Sequence, residues 1–188
     1  MKKFGIFGGI FDPIHLGHLQ VAEASKEMLG LSNLIFVPSG LPPHKEPPIA
    51  SCQDRLKMLE LAIKKNHYFS ISKVEIERKK CSYTKDTVEK LKAIYKEIEL
   101  YFVIGSDTIP ELSEWKEIDR LFSEIRFVAV TRQGFPNQEN NPNILVITSP
   151  TLAISSSEIR KRIKERKSIK YLVPERVEEY IYEKELYR

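Results

Sequence analysis

Cysteine is nearly absent from this chain. Of its 188 residues only Cys52 and Cys81 are cysteines, and they form no CxxC pair, which excludes a disulfide framework or a zinc knuckle as the basis of the fold. Long apolar runs are missing too, since none nears the roughly 18 residues a membrane-crossing helix needs. The N-terminus shows no charged n-region, apolar h-region or transit pattern, so a soluble, cytoplasmic protein is expected, with no membrane partner. Neither sign of charge dominates: 30 basic against 26 acidic residues leave a net +4. That is too mild to argue for nucleic acid, although it suits an anionic small molecule. With 41% hydrophobic and 30% charged residues, the chain can bury a full core.

What is present is alternation. Apolar, β-rich runs occur at "FGIF", "LIFVP", "YFSISKVEI", "LYFVIG", "IRFVAVT" and "ILVIT". Helical patterns lie between most of them: "HLQVAEASKEMLG", "DRLKMLELAIKKN", "TVEKLKAIYKE" and "ELSEWKEIDRLFSE". Near-continuous apolar runs suit strands buried on both faces, and strands alternating with helices predict a Rossmann-like, doubly wound α/β fold with a mainly parallel sheet. After Pro150 the pattern changes to two helices with no strand between them, the second starting at Pro174. A single domain is expected, with an α/β core over 1–150 and a C-terminal helical cap over 151–188.

In open α/β sheets, ligands bind beyond the carboxyl ends of the strands. The loops there hold a Gly-Gly pair, three of the four histidines and the richest serine cluster. The first reads "GGIFDPIHLGHL", residues 8–19, with His15 and His18 where a strand hands over to a helix. Three readings stand for this pair. They are packed, hydrogen-bonded core histidines; or zinc ligands, for which no third ligand lies at diagnostic spacing; or donors to a phosphate at a helix entrance, with Gly8 and Gly9 allowing close approach. The pattern is neither a Walker A loop nor GxGxxG. A second loop, "ISSSEIR" at 154–160, starts a helix through the Ser155–Glu158 capping box. Arg160 shares a helical face with Ser156 and Ser157. Its charge opposes the helix dipole, which a bound anion would offset. Two such helix ends on one sheet edge suggest a triphosphate.

Further candidates are softer. "SYTKDT" opens a helix at which Thr84 and free N–H groups could receive a carboxylate. Trp115, the only tryptophan, is either a core residue sharing a helical face with Leu112 and Ile118 or a platform for a flat ring. "PPHKEPP" carries Lys45 as a phosphate contact or as plain surface. Asp107, ending "IGSD", is a ribose acceptor or a turn residue.

Taken together, "GGIFDPIHLGHL" and "ISSSEIR" resemble the signatures of the HxGH nucleotidyltransferase superfamily. The adjoining "LPPHK", "SYTKDT", "GSD", Trp115 and "YLVPERVEEYI" narrow the resemblance to the bacterial nicotinate-nucleotide adenylyltransferase family, over essentially the whole chain. Ile10 departs from the usual Thr of "GGTFDP", and Lys116 from a position often aromatic. The resemblance implies transfer of AMP from ATP to nicotinate mononucleotide, with Mg²⁺ carried by ATP and no dedicated metal ligand. It implies catalytic roles for His15, His18 and Arg160. ATP would be bound by Gly8, Gly9, Ile10, Phe11, Gly105, Asp107, Ser156, Ser157 and Arg160. The mononucleotide would meet Lys45, Thr84, Lys85, Asp107, Trp115 and Lys116. Rival readings are a sister enzyme using nicotinamide mononucleotide or phosphopantetheine, a non-catalytic nucleotide sensor, and, weakest, a nucleic-acid module built on the basic helix "EIRKRIKERK". Monomer and homo-oligomer are both open.

Overall fold

The computed structural model describes residues 1–40, 47–78, 82–132, 141–150 and 152–188. Its elements run β1 (Lys2–Gly9), α1 (Leu16–Leu29), β2 (Asn33–Pro38), α2 (Cys52–Ile63), β3 (Phe69–Ile71), α3 (Thr84–Ile94) and β4 (Ile98–Gly105). A 3₁₀ segment (Ser106–Glu114), α4 (Ile118–Glu124), β5 (Arg126–Arg132), β6 (Ile144–Ser149), α5 (Ser156–Lys164) and α6 (Glu175–Glu183) follow. The six strands form one sheet in the order β3-β2-β1-β4-β5-β6, and every pairing is parallel. This is the doubly wound order, whose connections reverse direction between β1 and β4.

Side chains alternate across each strand, so the sheet divides the core in two. Phe7, Phe36, Val103 and Val128 face one layer, together with Ala22 of α1, Met58 and Leu59 of α2, Ile159 of α5 and Val177 of α6. Ile6, Ile35, Phe102 and Phe127 face the other, with Val88 and Leu91 of α3 and Leu121 of α4. The C-terminal helices therefore continue the layer begun by α1 and α2, and α6 packs on α2. Among the described residues no helix is long and apolar enough to cross a membrane.

Two elements differ from their sequence patterns. The nine-residue run "YFSISKVEI" yields only a three-residue β3. After Ser72 N–H reaches Phe36 O (2.9 Å) the chain turns over the end of β2, so closely that a Cβ on Gly40 would stand 2.5 Å from Glu75 O. The pattern "ELSEWKEIDRLFSE" is not one helix. The 3₁₀ segment closes with Trp115 N–H on Leu112 O (3.0 Å), and Glu117 at φ 58° breaks the chain before α4. The Trp115 ring packs edge-on against Phe102 and Phe127. Tertiary packing of that ring overrides the helical periodicity.

Candidate active site

A cavity of about 520 Å³ opens at the carboxyl ends of β1 and β4, where the winding reverses. One wall is the entrance to α1. His15 is not in the first turn but caps it, with extended backbone (φ −144°, ψ 170°). Its Nδ1 accepts the His18 N–H (3.3 Å), while His18 Nδ1 accepts the His15 N–H (3.2 Å). The imidazoles thus form a capping box of the kind Ser and Glu usually make, and the rings stack at 3.6 Å. Because both Nδ1 atoms are acceptors, each neutral ring carries its proton on Nε2. Burial, then the neighbouring His15, holds His18 well below the usual imidazole range, so it is neutral at physiological pH. Both rings line the cavity.

The α1 N–H groups are less open than the sequence suggests. His15 takes the His18 N–H, and Leu16 N–H is held by Leu172 O (3.0 Å). Donation to a ligand at this entrance is left to the Gly17 N–H and the side chains. The glycines have separable reasons. A Cβ on Gly9 would meet the Phe11 ring at 2.8 Å, and one on Gly17 would meet His15 Nδ1 at 3.1 Å. At Gly8 it would meet only Phe102 Cζ, at an ordinary 3.5 Å, so the protein itself does not demand glycine there. Phe11 is buried, holds φ 51°, and sets its ring edge-on against His18 at 5.1 Å. It lines the cavity chiefly as the backing of that imidazole.

The entrance to α5 joins the same cavity through Ser155 and Ser156. Ser155 Oγ accepts the Glu158 N–H (3.2 Å), as the capping pattern requires. Ser156 Oγ donates to Pro13 O (2.9 Å) and Arg160 Nη1 to Asp12 O (2.7 Å), fastening α5 to the β1–α1 loop. Ser157 and Arg160 do not line the cavity: Ser157 is exposed, 3.1 Å from Ser155 Oγ.

Opposite stands α3. Tyr83 O takes the N–H groups of Asp86 (3.0 Å) and Thr87 (3.3 Å), so the donors left over at this positive helix end are those of Thr84 and Lys85. Thr84, half-buried Trp115 and Lys116 line the cavity, with the Lys116 ammonium 4.8 Å over the Tyr83 ring. The Lys85 side chain turns away to pair with Glu117. Glu75, bonded by the Thr87 hydroxyl (2.7 Å), lies on this wall too, and burial raises its carboxyl above the usual range. Gly105 and Asp107 close the β4 end, the Asp107 carboxylate folding so near that a Cβ on Gly105 would lie 2.3 Å from it. Ile10 lines the floor. Lys45 and His44 lie outside the described residues. Among the described residues no three of His, Cys, Asp or Glu gather to hold a metal ion.

Sequence reasoning passed over Arg55, which is fully buried. Its Nη1 donates to Ile10 O (2.7 Å) and Ser39 O (2.8 Å), joining the ends of β1 and β2. Its helical phase with Met58 and Leu59 was the available signal, since i, i+3, i+4 puts the three on one inward face. Asp12, also passed over, is buried at 4% exposure beneath the loop.

Paired imidazole donors and a serine-bearing helix end, facing a second helix end across a switch-point cavity, define a nucleotidyltransferase-type site. A family model described as cytidylyltransferase-like matches residues 6–162. More narrowly, the chain belongs to the nicotinate-nucleotide adenylyltransferase family. It is 47% identical, over 99% of its own length and 92% of the relative's, to a probable nicotinate-nucleotide adenylyltransferase of Moorella thermoacetica. It is 45% identical, over 100% and 87%, to one of Geobacillus kaustophilus. A Plasmodium falciparum nicotinic acid mononucleotide adenylyltransferase, solved in complex with NaAD, superimposes with a TM-score of 0.85 at 25% identity, covering 100% of this chain and 98% of that one.

Proposed function

We propose that this protein moves AMP from ATP to nicotinate mononucleotide, releasing pyrophosphate and forming nicotinic acid adenine dinucleotide, a step of NAD biosynthesis. The observation that carries this reading is one cavity with two kinds of donor on facing walls. Two imidazoles and the Ser156 N–H at the α5 entrance stand on one side, and Thr84 at the α3 entrance stands beside Trp115 on the other.

The chemistry asks little of the protein beyond alignment. The attacking group is the mononucleotide's own phosphate, whose second pKa near ~6 leaves it mostly ionised at neutral pH. A phosphate oxygen attacks the α-phosphorus in line, and the bond to the β-phosphate oxygen breaks. Neither general base nor covalent intermediate is required. His18 donates Nε2–H to the α-phosphate oxygens as charge shifts, and His15 to the outer phosphates. The Ser156 and Ser157 N–H groups at the α5 entrance hold the β- and γ-phosphates, with the Arg160 side chain behind them. Asp107 accepts ribose hydroxyls. The pyridine ring lies by Trp115, its carboxylate at the α3 entrance. Glu75, Asp107, Glu111 and Glu114 also line the cavity, but among the described residues no three potential ligands gather into a metal cage, so Mg²⁺ would arrive on the ATP phosphates.

The test is pyrophosphate release from Mg-ATP with nicotinate and nicotinamide mononucleotides offered in parallel. A strong preference for the acid is expected, because the α3 entrance offers donors and a positive dipole end. Equal use would discard the carboxylate subsite. No release with either would overturn the reading.

A further inference from the structure

We infer that Tyr187 is a positioning residue for the histidine pair, acting through Asp12. The inference rests on the reaction proposed above. The β1–α1 loop has no regular structure of its own, and side chains distant in sequence pin its backbone. Arg55 holds Ile10 O, Arg160 holds Asp12 O and Ser156 holds Pro13 O, at 2.7, 2.7 and 2.9 Å. The Asp12 carboxylate points beneath the loop and collects three donors. Oδ2 takes the Ile49 N–H (2.8 Å), while Oδ1 takes the Ala50 N–H (3.1 Å) and the Tyr187 hydroxyl (2.7 Å). Asp12 and Tyr187 are 4% and 5% exposed, so this junction is dry. In such a setting a carboxylate depends on every donor it has.

Two features make the tyrosine more than a packing residue. Burial, and then the Asp12 carboxylate, hold its phenol far above the ordinary range, so it stays a donor at any working pH. Its own backbone sits at φ 66° and that of Phe11 at φ 51°. Both are left-handed conformations that non-glycine residues keep only where the surroundings over-determine them. Only Pro13 and the fully buried Ile14 separate Asp12 from His15. A shift of Asp12 is therefore passed to the His15 ring, and through the reciprocal cap to His18. Misplacing a donor by an ångström costs about a hundredfold in rate; one loosened anchor among several should cost less.

The test is Tyr187→Phe, alone and with Asp12→Asn. For Y187F we expect kcat to fall about fivefold with the KM values for ATP and nicotinate mononucleotide within about twofold of wild type. Without any substrate, the imidazole ¹⁵N signals of His15 and His18 should shift in Y187F. Because the hydroxyl acts through Asp12, the double variant should be no slower than D12N. The inference is overturned by a wild-type kcat in Y187F, by KM rising without loss of kcat, or by multiplying losses in the double variant. If D12N does not fold, Y187F decides alone. A wild-type protein inactive on the mononucleotide would refute the reaction rather than the positioning; unchanged imidazole signals in Y187F would refute the positioning itself.

Discussion

His18 carries two duties on opposite edges of one ring, and two substitutions separate them. Its Nδ1 accepts the His15 N–H at 3.2 Å and so helps to cap α1. Its Nε2–H is the proposed donor to the α-phosphate. In His18→Asn the side-chain oxygen falls near the place of Nδ1, keeping the acceptor and deleting the donor. In His18→Gln the amide reaches the place of Nε2, keeping a donor and giving up the cap. Losing one preorganised donor to developing charge lowers kcat by about 10²–10³, or roughly 2.7–4 kcal/mol. Losing a cap costs about 1 kcal/mol of stability, a Tm shift of roughly 2–4 °C for a chain of this size. H18N should therefore melt near the wild type yet turn over some hundredfold slower, whereas H18Q should melt lower and keep more of its kcat. Steady-state pyrophosphate release and a calorimetric scan read both quantities. The imidazole is already neutral at physiological pH, burial and His15 both depressing its pKa. H18N should accordingly keep the wild-type acid limb near ~6, set by the substrate phosphate. A kcat in H18N within about threefold of wild type would refute the donor role, and so would equal losses of rate in both variants.

Two other perturbations probe the opposite wall. Glu75 has its carboxyl raised above 4.5, first by burial, so the folded state keeps a proton that the unfolded chain has already lost. That stabilisation is complete below 4.5 and disappears as pH rises through the folded value. Glu75→Gln, which never ionises and can still accept the Thr87 hydroxyl, should gain stability over the wild type as pH climbs from 4 to 8. Urea midpoints measure it, and a difference that is flat or shrinks with pH contradicts the assignment. Trp115→Ala should raise KM for the mononucleotide well above its effect on KM for ATP; a change confined to ATP would place the pyridine elsewhere.

The strands were legible where apolar runs are continuous, because burial on both faces leaves β1, β2, β4 and β5 little polar surface. β3 was legible only in part. Its pattern runs on for nine residues, but pairing stops after three because the chain turns to pass over Gly40. Trp115 shows the limit of helical periodicity, since the phase with Leu112 and Ile118 is real but the ring's packing on Phe102 and Phe127 breaks the helix between them. At the site, the sequence announced which loops converge, because the topology sends every β-to-α loop to one edge. It was silent on how groups already in the molecule use one another. Arg160 is spent on Asp12 O and Lys85 on Glu117. The histidines cap each other, and a buried arginine ties two strand ends. Apart from the histidine pair, three residues apart, these bonds join residues distant in the chain, and only the folded chain brings the partners within reach.

The strand order also sets a sequence of events. β1 lies in the middle of the sheet although it precedes the other five strands, and its second neighbour, β4, begins only at Ile98. While the chain is being synthesised, β2, β3 and three helices must emerge before that inner edge of β1 is paired. The floor of the cavity forms with that pairing, but its serine wall waits for α5, which starts at Ser156. The histidines thus precede nearly every element that gives them their setting, so a growing chain cannot bind nucleotide before α5 has followed.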